Sequence, residues 1–275
     1  MSDFVLSLIL MCYKGISFAH IRAQTAESIK TFAPSRTEAM PISSEHLVQN
    51  TLLAALAKPD FELLKPRLDW VDLNIGDVLY EAHKPIGYAY FPTSGICSVV
   101  AQNAEEVRIE TGLIGKEGFV GIPMVLFAER SPSQIIVQAS GRALRLGRAK
   151  LLKAIQESPS LHKVLLRFAH TFSVQVSQTA IANGHNTINE RLSRWLLMCQ
   201  DRADSHEFPI THRFLADMLA VRRAGITDAL SYLEGKKCIR AMRSRIVITD
   251  RACLEQIAGA AYGVPEKEYQ RLITS

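Results

Sequence analysis

The side chains that could do chemistry in this chain crowd into residues 211–249. Eight of them are basic (Arg213, Arg222, Arg223, Lys236, Lys237, Arg240, Arg243 and Arg245) and three acidic (Asp217, Asp228 and Glu234). That excess equals the formal net charge of +5 carried by all 275 residues. The chemistry of such a cluster is recognition of a polyanion, because guanidinium and ammonium groups neutralise phosphate and guanidinium forks can pair with it twice. Bond-making chemistry has no comparable concentration. The sequence contains no G-x-S-x-G, no H-E-x-x-H and no glycine-rich dinucleotide turn, so no catalytic residue and no enzymatic activity are expected. Gly112-Leu113-Ile114-Gly115-Lys116-Glu117 echoes a phosphate loop, but it has too few residues between its glycines and Glu117 stands where a metal-binding Ser or Thr is needed. The eight histidines form no H-x-x-x-H pair and the five cysteines are scattered, so neither a metal nor another cofactor is expected. The odd cysteine count argues against a disulfide framework and fits a reducing cytoplasm.

The elements that would position these charges can be read from apolar spacing. Thr211 is a plausible N-cap, and Phe214, Leu215, Met218 and Leu219 then recur at helical intervals as one stripe. The stripe restarts after Ala220-Val221 as Ile226, Ala229, Leu230 and Leu233, which leaves Arg222, Arg223, Thr227, Asp228 and Ser231 largely on other faces of a second helix. Gly235 is expected to close that helix in a left-handed conformation. Two short strands follow, around 238–241 and 246–249, joined by Met242-Arg243-Ser244-Arg245. Two short helices and a basic hairpin are the outline of a winged helix-turn-helix, in which a helix enters the major groove while the hairpin reaches phosphates. Thr211, Arg222, Lys237, Arg243 and Arg245 are assigned to phosphate on this reading. The plain alternative is an αα-hairpin with a solvated basic face.

Elsewhere the texture changes by segment. Residues 4–12, FVLSLILMC, are too short to span a bilayer and follow Asp3 where an export signal would want positive charge, so no membrane partner is expected. Residues 13–40 show no sustained period. Ser43 or Ser44 could cap a helix carrying Leu47, Leu52, Leu53 and Leu56, with a second short helix over 60–68. Between 69 and 147 short runs of Val, Ile, Tyr and Phe are punctuated by glycine-bearing turns, the pattern of a sheet curled around a small core. A short helix over 149–157 precedes Pro159, which opens a helix running unbroken to about Asn183. Along it Leu161, Leu165, Phe168, Phe172, Gln175, Thr179 and Ala182 alternate by fours and threes, a seam that a second copy or the chain's own sheet could cover equally well. Thr187-Ile188-Asn189-Glu190 is a capping box for a helix that buries Leu192, Trp195, Leu196 and Cys199.

The segments FLADMLAVRRAGITDALSYLE, IRAMRSRIVITDR and LEQIAGAAYGV, together with IGDVLYEAHKPIGYAYFPTSGICSVV, resemble the Crp/Fnr family of bacterial transcription regulators over roughly residues 42–270. The resemblance implies an α+β architecture. It comprises a cyclic-nucleotide-binding-type β-roll sensor (42–158), a long central dimerisation helix (159–183) and a C-terminal winged helix-turn-helix (186–270), behind a flexible or spurious extension (1–39). It implies a homodimer paired through Leu161, Leu165, Phe168 and Phe172, acting on double-stranded DNA, with RNA polymerase as a possible further partner. Base reading falls to Arg223, Ala224, Thr227 and Asp228; relatives carry Glu and Arg where this chain has Ala224 and Asp228, so the operator should differ. Many relatives also carry glycine where this chain has Ala220 and Ser244. In the sensor, relatives use Gly-Glu for the ribose and Arg followed by Ser or Thr for the phosphate. This chain keeps Gly121, puts Ile122 at the Glu position and Ser133 at the Arg position, with Arg130 able to reach in only if the loop is re-registered. The pocket is therefore degenerate and an unknown small-molecule effector other than cyclic AMP is expected. The competing reading is a sensor or scaffold whose head binds another protein and not DNA, which rising salt would weaken far less.

Overall fold

The computed structural model describes residues 49–103, 107–203 and 205–274, all within one compact unit spanning Met40–Ser275. The expectations for residues 1–39, and for Ser43, Ser44 and Leu47, lie outside these. The first helix, α1 (Thr51–Ala54), is capped by Asn50, whose Oδ1 accepts from Leu53 N at 2.9 Å. The same buried side chain donates from Nδ2 to Pro92 O and Gly118 O, tying the helix to the roll from within. Helix α2 follows (Lys58–Leu64) and tightens into a 3-10 turn, where one helix over 60–68 was expected.

The roll consists of β1 (Asp69–Leu73), β2 (Val78–Tyr80), β3 (Tyr88–Pro92), β4 (Ile96–Gln102), β5 (Arg108–Ile114), β6 (Gln134–Ala139) and β7 (Gly141–Gly147), with a short helix α3 (Ile122–Val125) between β5 and β6. They form two antiparallel sheets ordered β1-β7-β3 and β2-β6-β4-β5. Phe91, Phe119, Val137, Leu144 and Leu146 fill the space between them at no more than 1% exposure. Burial of this kind, worth roughly 1.5–3 kcal/mol per large side chain, is what closes the roll.

Helix α4 (Arg148–Glu157) leads to the central helix α5 (Pro159–His185), with Pro159 in its first turn and Ser158 Oγ accepting from Leu161 N at 3.1 Å. At 27 residues it is roughly 40 Å long. Its predicted seam turns inward: Leu161, Leu165 and Phe168 are at most 3% exposed and belong to the roll's own core, with Phe172 packed against it. Leu161, Leu165 and Phe168 are therefore covered by the roll of the same chain, while Phe172 stays half-buried at its edge. A four-three repeat reports a buried stripe without saying whose surface buries it, and here it is the same chain's. Toward its end the stripe becomes polar because Gln175 meets an edge strand: its Oε1 accepts from Leu113 N at 2.6 Å and its Nε2 donates to Leu113 O at 3.2 Å, satisfying peptide groups that β5 would otherwise leave open. The two glycines read as a failed phosphate loop, Gly112 and Gly115, serve this joint together with Gly118. A Cβ on Gly112 would lie 2.7 Å from Gln175 Oε1, on Gly115 2.6 Å from Arg202 Cβ, and on Gly118 2.0 Å from Phe168 Cζ.

The head comprises α6 (Ile188–Arg202), β8 (Glu207–Phe208), α7 (His212–Met218), α8 (Arg223–Gly235), β9 (Ile239–Met242), β10 (Arg245–Ile248), α9 (Arg251–Ala258) and α10 (Val264–Tyr269). The Thr187–Glu190 capping box opens α6, and Leu192, Trp195, Leu196 and Cys199 are buried as the spacing predicts. The wing sheet is ordered β8-β10-β9. The head's core is not self-contained: Ile96 and Leu113 of the roll are fully buried within it. Cys238 and Cys253, unpaired in the sequence reading, are joined as a disulfide with Cα atoms 5.3 Å apart; sequence separation hid a proximity that the wing creates. No helix among the described residues is long and apolar enough to cross a membrane.

Candidate nucleic-acid interface

The reading head is built on a tight turn. Thr211 caps α7 by accepting from Phe214 N at 3.1 Å, leaving its own hydroxyl proton available. The chain then reverses through Ala220, whose φ of 49° lies in the left-handed region, and Arg191 of α6 donates from Nη2 to Leu219 O to hold the turn. A side chain in that conformation costs roughly 1 kcal/mol or more, so the turn is maintained by packing and not by its own preference. Ser244, at the wing tip, is also left-handed with φ 58°. Gly235 is not the left-handed closure of α8; it is the last helical residue, Lys236 continues right-handed, and Lys237 takes the positive φ of 63°. The αL position falls two residues later because Cys238 must turn into β9, with Lys237 N bonded to Glu234 O and Cys238 N to Leu233 O.

Helix α8 buries Ile226, Ala229, Leu230 and Leu233 and exposes Arg222 at its N-cap, then Arg223, Ala224, Thr227, Asp228 and Ser231. A groove forms between the start of α7, the outer face of α8 and the wing. Of the predicted residues it gathers Thr211, Arg223, Thr227 and Arg243, and it adds His212, Arg213, Ser231 and Glu234, whose Oε1 accepts from Ala241 N at 2.9 Å. Arg222, Ala224, Asp228, Lys237 and Arg245 do not line it. Lys237 stands at the far end of α8, roughly 20 Å from Arg223 by helical rise. Arg245 is not a free cation: Nη1 pairs with Glu207 Oε1 at 2.8 Å and Nη2 lies 3.2 Å from Met242 Sδ. Thr227 has a committed hydroxyl, which donates to Arg223 O and meets His212 Nδ1, both at 3.2 Å, so its methyl is the part left to present. His212 escaped sequence reasoning because it follows a cap and carries no helical period of its own.

The roll's expected pocket shows no such convergence. Gly121 has φ 134° and its Cβ would approach Ala89 Cβ at 3.0 Å, which explains the glycine by backbone geometry alone. Ile122 and Ser133 are half-buried, Ser133 N bonds Ser131 Oγ, and Arg130 is exposed.

Roll and head are joined by a buried polar chain that the sequence did not reveal. Trp195 Nε1 of α6 donates to Glu110 Oε1 of β5 at 2.7 Å, while Ser98 Oγ lies 2.6 Å from both Glu110 Oε2 and Gln138 Oε1. One hydroxyl proton cannot serve two acceptors. Burial pushes the Glu110 carboxyl up to about 7, against the pull of Ser98, Trp195, Arg194 and Arg202. A protonated Glu110 can donate to Ser98 while Ser98 donates to Gln138. Burial also lowers the neighbouring Arg194 to about 10. Among the described residues no cluster of three or more His, Cys, Asp or Glu side chains could hold a metal.

Comparison with known proteins agrees with this architecture. Residues 70–158 match the cyclic nucleotide-binding domain family and residues 190–257 the Crp-like helix-turn-helix domain family. No curated protein matches the sequence. Among solved structures, FixK2 from Bradyrhizobium japonicum is similar with a TM-score of 0.61 at 16% identity, covering 71% of this chain and 99% of its own. The c-di-GMP responsive global regulator CLP of Xanthomonas campestris gives 0.57 at 15%, covering 70% and 99%. A CRP-family transcriptional regulator from Thermus thermophilus gives 0.58 at 17%, covering 70% and 98%. With the two matched domains in this order and joined by one long helix, the chain belongs to the Crp/Fnr family of DNA-binding transcription regulators.

Proposed function

We propose that the protein reads duplex DNA through the groove between α7, α8 and the wing, with Arg223 contacting a base edge and Thr211, Arg213 and Arg243 holding phosphates. The observation that carries this is the exposure of Arg223 at the first turn of α8 beside Arg213 and Arg243 in one concave surface. Thr227 offers a methyl to thymine, and Ala224 and Asp228 flank it on the outer face of the helix. Arg222 and Lys237 contribute more distant phosphate contacts, and Arg245 joins only by exchanging Glu207 for phosphate. Arg223→Ala should weaken the preferred site by about 1–3 kcal/mol and flatten preference at one base pair. Equal losses on preferred and random duplexes in a titration would assign Arg223 to phosphate instead, and binding insensitive to salt would favour a protein-binding head.

We further infer a cytoplasmic homodimer, with the domain division 42–158, 159–183 and 186–270. The outward face of α5 exposes Leu166, Ser173 and Ala180 with Ala169 and Val176 half-buried between them, a set that also steps by threes and fours and whose small residues permit close helix approach. Leu166, 38% exposed, is the largest side chain on it. Leu166→Glu should give a folded monomer by light scattering, whereas Phe168→Glu should unfold the roll. A dimer that survives Leu166→Glu would place the partner elsewhere.

A further inference from the structure

A cavity of about 300 Å³ lies where the roll, the central helix and the C-terminal helices meet, away from Gly121, Ile122 and Ser133. Phe168 and Phe172 of α5 and Tyr269 of α10 give it an aromatic lining. Its charges do not cancel. Glu117 pairs with Arg202 at 2.8 Å, and Asp201 pairs with Arg251 at 2.9 Å and accepts from Tyr262 Oη at 2.6 Å. Glu266 makes no direct ion pair among the described residues: its Oε2 accepts from Gly263 N at 3.1 Å, and the charges of Arg202 and Arg194 act on it only from beyond ion-pair distance. A second group is also unfinished. Arg202 is only 5% exposed, its Nε donates to Leu113 O at 3.2 Å and its Nη1 to Met198 O at 2.8 Å, while Nη2 has no protein acceptor among the described residues. Burial, which would lower the Arg202 pKa, is outweighed by Glu117, Glu266 and Asp201, so the guanidinium stays charged.

We propose that this cavity binds a small amine bearing an oxygen acceptor beside its ammonium group and an apolar or aromatic flank, the chemistry of α-amino acids and their amides. The ammonium group answers Glu266, the oxygen accepts from Arg202 Nη2, and the flank packs on the Phe168, Phe172 and Tyr269 rings. Ligand pockets span roughly 300–1,000 Å³, so this one is sized for a single small molecule and not for a dinucleotide. The aromatic wall alone would accept any apolar molecule; a carboxylate and a guanidinium nitrogen without direct partners on one cavity select a molecule that carries both a donor and an acceptor. This binding does not depend on the DNA reading and is measured without DNA.

Calorimetry on the full-length protein with four related probes tests it. Phenylalaninamide and phenylalanine carry all three features, phenethylamine lacks the oxygen, and 3-phenylpropionate lacks the ammonium group. The amide and the amino acid should bind, phenethylamine about tenfold more weakly for one lost charge-assisted hydrogen bond, and 3-phenylpropionate not at all up to about 10 mM. Glu266→Gln keeps an acceptor for Gly263 N and should leave the melting temperature unchanged while weakening the amide at least about tenfold. Phe172→Leu is an independent variant that should weaken the aromatic probes and spare alaninamide. The proposal is overturned if no amine gives heat at about 10 mM, if 3-phenylpropionate binds as tightly as the amide, or if both variants bind like the parent.

Discussion

The roll and the head each match a known domain family and differ in where their charge lies. In the head, Arg213, Arg223 and Arg243 converge on one open groove and the apolar stripes lie underneath. In the roll, the positions expected from the sequence to hold a cyclic nucleotide are Ile122 and Ser133, the nearby Arg130 is exposed, and aliphatic and aromatic side chains fill the interior. Both regions fold because their apolar periods survive. Chemistry rests on a few polar positions that can be lost without disturbing the fold, so likeness of fold carries less about ligand than about architecture.

The largest effect that would break this contrast is tight binding of cyclic AMP. Without an arginine fork for the phosphate or an acceptor for the ribose hydroxyl, on the order of 3–6 kcal/mol is lost, a factor of at least about a hundred in affinity. Calorimetry should therefore show no micromolar complex; one abolished by Arg130→Ala would mean that the loop supplies its cation from a different register. Next in size is the proton on Glu110, where the two regions meet. Its folded pKa, near 7, exceeds the ordinary 4.5, so the folded state holds the proton more tightly, and the associated stability is complete below pH 4.5 and lost as pH rises through 7. The loss amounts to about 3 kcal/mol at most, and Glu110→Gln, which can donate to Ser98 and accept from Trp195, should flatten the profile in urea titrations at several pH values. An unchanged profile in the variant would show that Glu110 is already ionised. Smallest is the strain within the head. Ala220→Gly should raise stability by about 0.5–1 kcal/mol, the relief of the left-handed backbone less the extra freedom glycine has when unfolded. A lower denaturation midpoint would mean that the Ala220 methyl contributes packing that outweighs its strain.

Much of this was legible in the sequence where local patterns are strong. Thr211 as a cap, the Thr187–Glu190 capping box and the Pro159 start all appear as read. Three features needed the third dimension. The stripe of Leu161, Leu165 and Phe168 gave the period of a seam but not its partner, which is the roll and not a second copy. Glu110, Ser98 and Gln138 come from separate strands, and their contact with Trp195 leaves no trace in spacing. His212 and Arg213 enter the groove because α7 starts there, while Lys237 and Arg245, equally basic on paper, are placed at the far end of the helix or against Glu207.

Gly112, Gly115 and Gly118 make the joint between β5, the loop after it and the helices a contact of main chain against helix, with almost no side-chain cushion. Elsewhere in a protein a shifted helix is absorbed by rotamer changes in the layer between. Here that layer is thin and supplied from the helix side, and Gln175 and Arg202 grip the peptide of Leu113 directly. A movement of α5 must then either drag the strand with it or strain those bonds, since packed interfaces switch between discrete arrangements and do not deform smoothly. The joint is therefore suited to behave as a gear tooth, holding one setting until forced into the next.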